Sequence, residues 1–110
     1  MIWVKQSKYG NKKVTENGET FDSVKEYGRW KELLLMERAG EISGLFRQVK
    51  IELIPKTDKF KAISYIADFT YVDKRTGQRV YEDCKGMKTE VYKIKKKLLY
   101  WRHGIEIKET

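Results

Sequence analysis

The chain has 110 residues, of which 40% are hydrophobic and 13% aromatic, and its 24 basic and 16 acidic residues give a formal net charge of +8. This composition excludes a disordered tail, predicts a single domain over residues 1–110, and favours nucleic acid or an anionic membrane surface as the partner. Cys84 is the only cysteine and no apolar run approaches the roughly 20 residues of a membrane span, so we expect a cytoplasmic protein without disulfides or membrane segments.

The first predicted helix follows a polar N-terminal segment. Residues 1–20 contain glycine–asparagine turn signals and predict short extended pieces. Ser23 and Glu26 have the spacing of a capping box, which places the start of the helix at residue 22 or 23 and its end near residue 38. The expected apolar face consists of Val24, Tyr27, Trp30, Leu33 and Leu34.

Three strands and a second helix follow. Residues 46–54 and 62–72 alternate in polarity as strands do, and a turn over 73–78 predicts a hairpin with a third strand over 79–85. Thr89 is a candidate N-cap for a helix over 89–102, and 105–108 predicts a final strand. This order predicts an α+β fold with a mixed central sheet flanked by helices. The expected apolar side of the second helix consists of Val91, Ile94, Leu98 and Trp101.

The most informative residues lie on the second and third strands. Because side chains alternate along a strand, Asp83 and Lys85 point the same way and Cys84 points away. If the hairpin register allows it, Asp68 lies across from Asp83. Two carboxylates that close repel each other unless a cation lies between them, and Mg²⁺, or Mn²⁺ in its place, suits such a site. The backbone carbonyl of Cys84 is a further candidate ligand.

This arrangement predicts phosphodiester hydrolysis. A metal there would polarise the scissile phosphate and acidify the attacking water. Lys85 would orient that water or stabilise the charge that develops on phosphorus. Glu26 could reach the metal or hold Lys85, although its capping role alone would also explain it. Gln48 could position water or phosphate.

These residues resemble the PD-(D/E)-x-K nuclease superfamily and, within it, small phage and prophage proteins of Holliday-junction-resolvase type. The resemblance implies a restriction-endonuclease-like α-β-β-β-α-β core, Asp68 and Asp83 as metal ligands, Lys85 as the catalytic lysine and Glu26 as the helix carboxylate. Ala67 replaces the usual proline, and neighbouring Glu82 is an alternative acid that strand alternation disfavours. The matching stretches are Lys8-Tyr9-Gly10-Asn11-Lys12, Phe21-Asp22-Ser23-Val24-Lys25-Glu26, Gly40-Glu41-Ile42, Arg47-Gln48, Tyr65-Ile66-Ala67-Asp68-Phe69, Glu82-Asp83-Cys84-Lys85-Gly86, Thr89 and Lys95-Lys96-Lys97-Leu98.

A basic stretch follows the candidate lysine. Residues 85–102 contain seven basic residues and one acid, Glu90. A solvated helix face is the simplest interpretation, but the position favours phosphate contacts, which strengthen binding without reading sequence. The predicted DNA-binding residues are Lys88, Lys93, Lys96 and Lys97.

The hypothesis that follows is a magnesium-dependent endonuclease acting on DNA. The resemblance implies branched DNA, and two paired cuts in a four-way junction imply a homodimer. A nicking or restriction-like duplex nuclease and a non-catalytic DNA-binding accessory protein are the alternatives, and the sequence does not distinguish DNA from RNA. If the protein is phage-encoded, its location is the cytoplasm of the host cell.

Overall fold

The computed structural model describes residues 2–6, 12–84 and 88–110. Lys85 and most of the Lys8–Lys12 stretch therefore lie outside the described residues. The described ranges contain β1 (Ile2–Gln6), β2 (Lys12–Glu16), β3 (Glu19–Phe21), α1 (Val24–Arg38), β4 (Ile42–Ile54), β5 (Ile63–Asp73), β6 (Gln78–Asp83), α2 (Glu90–His103) and β7 (Ile107–Glu109).

The central sheet has the strand order β4-β5-β6-β7. The first three strands pair antiparallel, and β7 pairs parallel to β6 after the crossover through α2. The predicted order of helix, three strands, helix and strand is confirmed, and so is the mixed α+β sheet flanked by helices. The β5–β6 register pairs Phe69 with Glu82, so Asp68 and Asp83 occupy the adjacent step of the hairpin.

The N-terminal segment forms a second sheet, which the sequence predicted only as extended pieces. β1, β2 and β3 pair antiparallel in that order. Asn17 and Gly18 make the β2–β3 turn with φ values of 53° and 81°, the left-handed region that asparagine and glycine tolerate best. Val14 and Phe21 are buried, which gives this small sheet an apolar anchor next to α1.

Helix α1 begins where the capping signal predicts. The Ser23 hydroxyl accepts a hydrogen bond from the Glu26 N–H at 3.0 Å. Leu33 is fully buried, as expected, but Val24 is 51% exposed, so its assignment to the apolar face is wrong. In the first turn the inward position belongs to Glu26, which is 3% exposed.

Helix α2 packs against the sheet through a different set of residues from the one predicted. Its N-cap Thr89 accepts from the Tyr92 N–H, and Gly104 ends it with a φ of 69°. The buried residues are Tyr92 and Leu99, seven positions apart and therefore on one face. The predicted apolar side is wrong for three of its residues, since Val91, Ile94 and Trp101 are 62%, 56% and 79% exposed.

Each helix covers its own part of the sheet. α1 contributes to a core cluster with Ile42, Phe69 and Tyr71, and the Trp30 ring stacks on Phe69 with centroids 5.9 Å apart. The cluster under α2 contains Leu53, Tyr65, Ala67, Tyr92, Leu99 and Ile107.

In the part of the chain that the structure describes, neither helix is long and apolar enough to cross a membrane.

Candidate functional site

Three residues from three elements meet near the midpoints of β4 and β5. Glu26 comes from the first turn of α1, Gln48 from β4 and Asp68 from β5. The Gln48 side-chain amide donates to Glu26 Oε2 and to Asp68 Oδ1, each at 3.3 Å. One amide group thus links two carboxylates that are far apart in sequence, and we call these three residues the carboxylate cluster.

The backbone of Gln48 has an unusual conformation. Its φ is 54°, in the left-handed region that side chains other than glycine and asparagine rarely adopt. The ladder pairs Arg47 with Phe69 and Val49 with Ala67, so Gln48 lies opposite Asp68. Residues kept in sparsely populated conformations cost about 1–3 kcal/mol and concentrate at functional sites.

The two acids of the cluster are removed from water without a full counter-charge. Glu26 is 3% exposed and Asp68 is 6% exposed. Burial raises the pKa of Glu26 to about 7, and the nearby charges of Asp68 and Asp22 add to this shift, while Arg47 opposes it. A glutamate with such a pKa is partly protonated at neutral pH, and a cation at the cluster would favour its charged form.

Arg47 holds Glu26 in place, a role that sequence reasoning missed. Its Nη2 donates to Glu26 Oε2 at 3.3 Å and to the Thr20 carbonyl at 3.0 Å. Its guanidinium carbon lies 4.0 Å from the centre of the Phe21 ring, a cation–π contact. The N-terminal sheet is therefore connected to the cluster through this arginine. The sequence feature that could have predicted this role is the position of Arg47, a charged residue on the otherwise apolar inner face of β4 and directly before Gln48.

Asp83 lies beside Asp68, as the hairpin register requires. The Asp68 N–H donates to Asp83 Oδ1 at 2.8 Å, and the Cys84 N–H donates to Asp68 Oδ2 at 2.8 Å. Asp83 is fully buried, and its Oδ2 accepts from the Tyr65 hydroxyl. The candidate ligands Asp68, Asp83 and the Cys84 backbone are thus adjacent, while the Cys84 side chain packs against the core under α1, as predicted.

Glu82, the alternative acid, has a complete set of partners elsewhere. Arg29 donates from Nε and Nη2 to the two carboxylate oxygens at 2.9 and 2.8 Å, and the Tyr71 hydroxyl also donates. Burial alone would raise the pKa of Glu82, but the hydrogen bonds from Arg29 and Tyr71 lower it below its usual value. These contacts account for Glu82 as a buried ion pair that joins α1 to β6.

Three of the four predicted DNA-binding lysines have acidic neighbours. Lys88 and Lys96 bind the two oxygens of Glu109 at 3.1 and 3.4 Å, and Lys93 binds Glu90 at 3.3 Å. A hydrogen bond from Tyr92 and then those from Lys88 and Lys96 lower the pKa of Glu109 to about 2. Such half-exposed pairs are weak, so a phosphate could replace the carboxylate.

Lys97 is exposed, and it forms no ion pair within the described residues. It is therefore the lysine of this set that is most readily available to a phosphate.

The donor chemistry of the carboxylate cluster fits magnesium, although the described residues contain no group of three or more histidine, cysteine or acidic side chains arranged around one point. Magnesium needs only one or two protein carboxylates, because waters and substrate oxygens complete its octahedron. Asp68 and Glu26 satisfy this requirement. Their mutual repulsion gives a cation a favourable place to bind.

Comparison with known proteins identifies a family. A family model described as "Protein of unknown function (DUF1064)" matches residues 6–110. No curated protein and no solved structure matches the chain. The matched span includes the carboxylate cluster, Asp83, Lys85 and all of α2. The chain therefore belongs to the DUF1064 family.

Proposed function

We propose that this protein is a metal-dependent endodeoxyribonuclease that hydrolyses phosphodiester bonds. The observation that carries the proposal is the pair of almost fully buried carboxylates, Glu26 and Asp68, connected by the Gln48 amide without a full counter-charge. Burying uncompensated charge is costly, so proteins keep it where a ligand supplies the missing cation. The net charge of +8 suits a polyanionic substrate.

Asp68 is the central metal ligand in this proposal. It lies between Glu26, reached through Gln48, and Asp83, reached through its own backbone N–H. Asp83 and the Cys84 carbonyl complete the proposed ligand set, and Glu26 is proposed to reach the same metal from the side of α1. Magnesium or manganese bound there would polarise the scissile phosphate and acidify the attacking water.

The other side chains of the site have positioning roles. Gln48 fixes the separation of the two carboxylates, and Arg47 holds the Glu26 carboxylate from the side of the N-terminal sheet. Lys85 is proposed to orient the attacking water or to stabilise the charge that develops on phosphorus. Lys97 and the weakly paired Lys88, Lys93 and Lys96 are proposed to contact the DNA backbone.

The substrate is proposed to be branched DNA such as a four-way junction. Two symmetric cuts in a junction require two active sites, so the proposal includes a homodimer. The test is to incubate labelled four-way junction and linear duplex of the same sequence with the wild type, in magnesium and in EDTA. Lys85→Ala and Asp68→Asn are compared with Asp58→Asn, a matched control in the exposed β4–β5 loop.

We expect metal-dependent symmetric cuts near the crossover by the wild type and by Asp58→Asn. Both site variants should lose at least about 100-fold in rate, as happens when an electrostatic contributor to the transition state is removed. Equal cutting of junction and duplex would support a nicking or restriction-like nuclease. DNA binding without cutting in either metal would favour the accessory protein.

A further inference from the structure

Two large apolar side chains flank the carboxylate cluster and are open to solvent. Phe46 on β4 is 60% exposed and Ile66 on β5 is 52% exposed. Ile66 lies two residues before Asp68 on β5, and Phe46 pairs with Thr70, two residues after Asp68 on the same strand. Residues two apart on a strand share a face and lie about 7 Å apart. The flanking positions are therefore within one nucleotide's reach of Asp68.

The sheet register puts the two residues on either side of the cluster. Phe46 pairs with Thr70, and Lys50 pairs with Ile66, so the Gln48–Asp68 step lies between these two pairs. Phe46 and Ile66 thus form the two exposed ends of a short strip whose centre is the buried Asp68 carboxylate. Lys50 is exposed and makes no ion pair in the part of the chain that the structure describes, so the strip also offers a cation.

The fold does not need either side chain. The core clusters use the alternate residues of β5, namely Tyr65, Ala67, Phe69 and Tyr71. A single exposed apolar residue is ordinary on a protein surface. Phe46 and Ile66 differ from the other exposed apolar residues in their position on both sides of a buried acid, so a molecule that reaches the acids also meets these two apolar side chains.

The charge on this strip limits what that molecule is. The chain carries an excess of eight positive charges, and Lys50 lies at the strip itself, so a polyanion is the complementary partner. The sugar–phosphate backbone of a regular duplex offers little apolar surface, because its bases are stacked inside. Unstacked bases expose their faces, and aromatic and apolar side chains contact such faces in single-stranded and kinked DNA.

We infer that Phe46 and Ile66 contact unstacked bases next to the cleaved phosphate, and that these contacts make the protein select branched over linear DNA. This inference rests on the proposed nuclease function and assigns its substrate preference to two named side chains. Lys50 binds the adjoining phosphate. The acids act on either substrate, whereas Phe46 and Ile66 discriminate between them.

The test measures binding by fluorescence anisotropy and cutting by gel, with a four-way junction and a linear duplex of the same sequence in magnesium. Phe46→Ala and Ile66→Ala are compared with Phe60→Ala, the same type of truncation at a residue that is 74% exposed in the β4–β5 loop. All three positions are exposed, so melting temperatures should match the wild type and show that the variants fold.

We expect Phe46→Ala to reduce the preference for the junction about tenfold, the size expected from losing one base–aromatic contact, with unchanged action on duplex. Ile66→Ala should have a smaller effect in the same direction, and Phe60→Ala none. The inference is overturned if Phe46→Ala keeps the wild-type preference or weakens both substrates equally. A wild type that binds the junction without cutting it would contradict the proposed nuclease function. In that case, a binding preference for the junction that is lost in Phe46→Ala would still support the contact between Phe46 and unstacked bases.

Discussion

Two buried glutamates in this molecule have opposite surroundings. Glu82, 0% exposed, receives two short hydrogen bonds from Arg29 and one from Tyr71, and its pKa is lowered. Glu26, 3% exposed, has contacts of 3.3 Å from Arg47 and Gln48, and its pKa is raised to about 7. Glu82 has its counter-charge built into the fold, whereas Glu26 has one 3.3 Å contact with Arg47 and shares the neutral Gln48 amide with Asp68.

The difference in counter-charge distinguishes a structural acid, Glu82, from a candidate functional acid, Glu26, although the two are similarly buried. Glu82 joins α1 to β6 and needs nothing further, so its charge stabilises the native state. The charge on Glu26 destabilises the protein as it stands, and either protonation or a bound metal ion would relieve that cost. Burial alone therefore does not single out a candidate functional acid, but burial together with an incomplete counter-charge does, and on that basis Glu26 belongs to the proposed site.

The largest expected effect comes from breaking the complete pair. Arg29→Ala leaves the Glu82 carboxylate buried beside Tyr71 without its cation, and we expect the free energy of unfolding to fall by about 3–5 kcal/mol. Urea unfolding at pH 7 measures this, with the exposed Arg38→Ala on the same helix as a control that should stay within about 0.5 kcal/mol of the wild type. A loss below about 1 kcal/mol for Arg29→Ala would mean that Glu82 is not held as described.

The next effect is a pH dependence with opposite signs for the two glutamates. The pKa of Glu26 is raised from 4.5 to about 7. Its contribution to the free energy of unfolding is therefore fully present below pH 4.5 and is lost as the pH rises through 7. At about 1.4 kcal/mol per pKa unit, this loss is at most about 3.5 kcal/mol. The lowered pKa of Glu82 acts in the other direction, and its contribution is lost only as the pH falls below 4.5.

Urea unfolding measured at intervals from pH 5 to pH 8 separates the contribution of Glu26 from that of Glu82. We expect the wild type to lose stability over this range and Glu26→Gln to show a much flatter profile. Glu32→Gln, on the exposed side of the same helix, should behave like the wild type. Parallel profiles for Glu26→Gln and the wild type would show that Glu26 does not titrate in this range.

A smaller effect on the free energy of unfolding is expected from metal binding at Glu26 and Asp68, and none is expected at Glu82. Magnesium at about 100 times its dissociation constant should stabilise the wild type by about 2.7 kcal/mol. The stabilisation should be larger at pH 8 than at pH 6, because the metal competes with the proton on Glu26. Melting in magnesium and in EDTA at matched ionic strength measures it. Asp68→Asn should lose the shift and Asp58→Asn should keep it, so a shift that survives in Asp68→Asn would place the metal elsewhere.

The sequence was sufficient for the elements that local signals define. The Ser23–Glu26 spacing located the start of α1, and strand alternation with the turn at 73–78 identified the β5–β6 hairpin, which brings Asp68 beside Asp83. It also placed Glu26 and Gln48 among the candidates. The predictions of α1 and of the hairpin are confirmed because each depends on residues close together in the chain, whereas the functional roles of Glu26 and Gln48 stay predictions.

The remaining features depend on contacts that no local pattern encodes. Val91, Ile94 and Trp101 have helical spacing, but so do Tyr92 and Leu99, and only docking on the sheet determines which stripe is buried. The short polar strands of the N-terminal sheet gave no clear alternation, so their pairing was missed. The Arg47 contact with Glu26 likewise spans 21 residues between separate elements.

The left-handed backbone of Gln48 has a consequence for protein engineering. A glycine at this position would relieve the conformational cost at a φ of 54°, and a selection for heat resistance alone would favour it. The same replacement would remove the amide that links Glu26 to Asp68. In the proposed nuclease, stability and activity therefore compete at position 48, and a thermally improved variant with glycine there would have gained its stability at the expense of the carboxylate cluster.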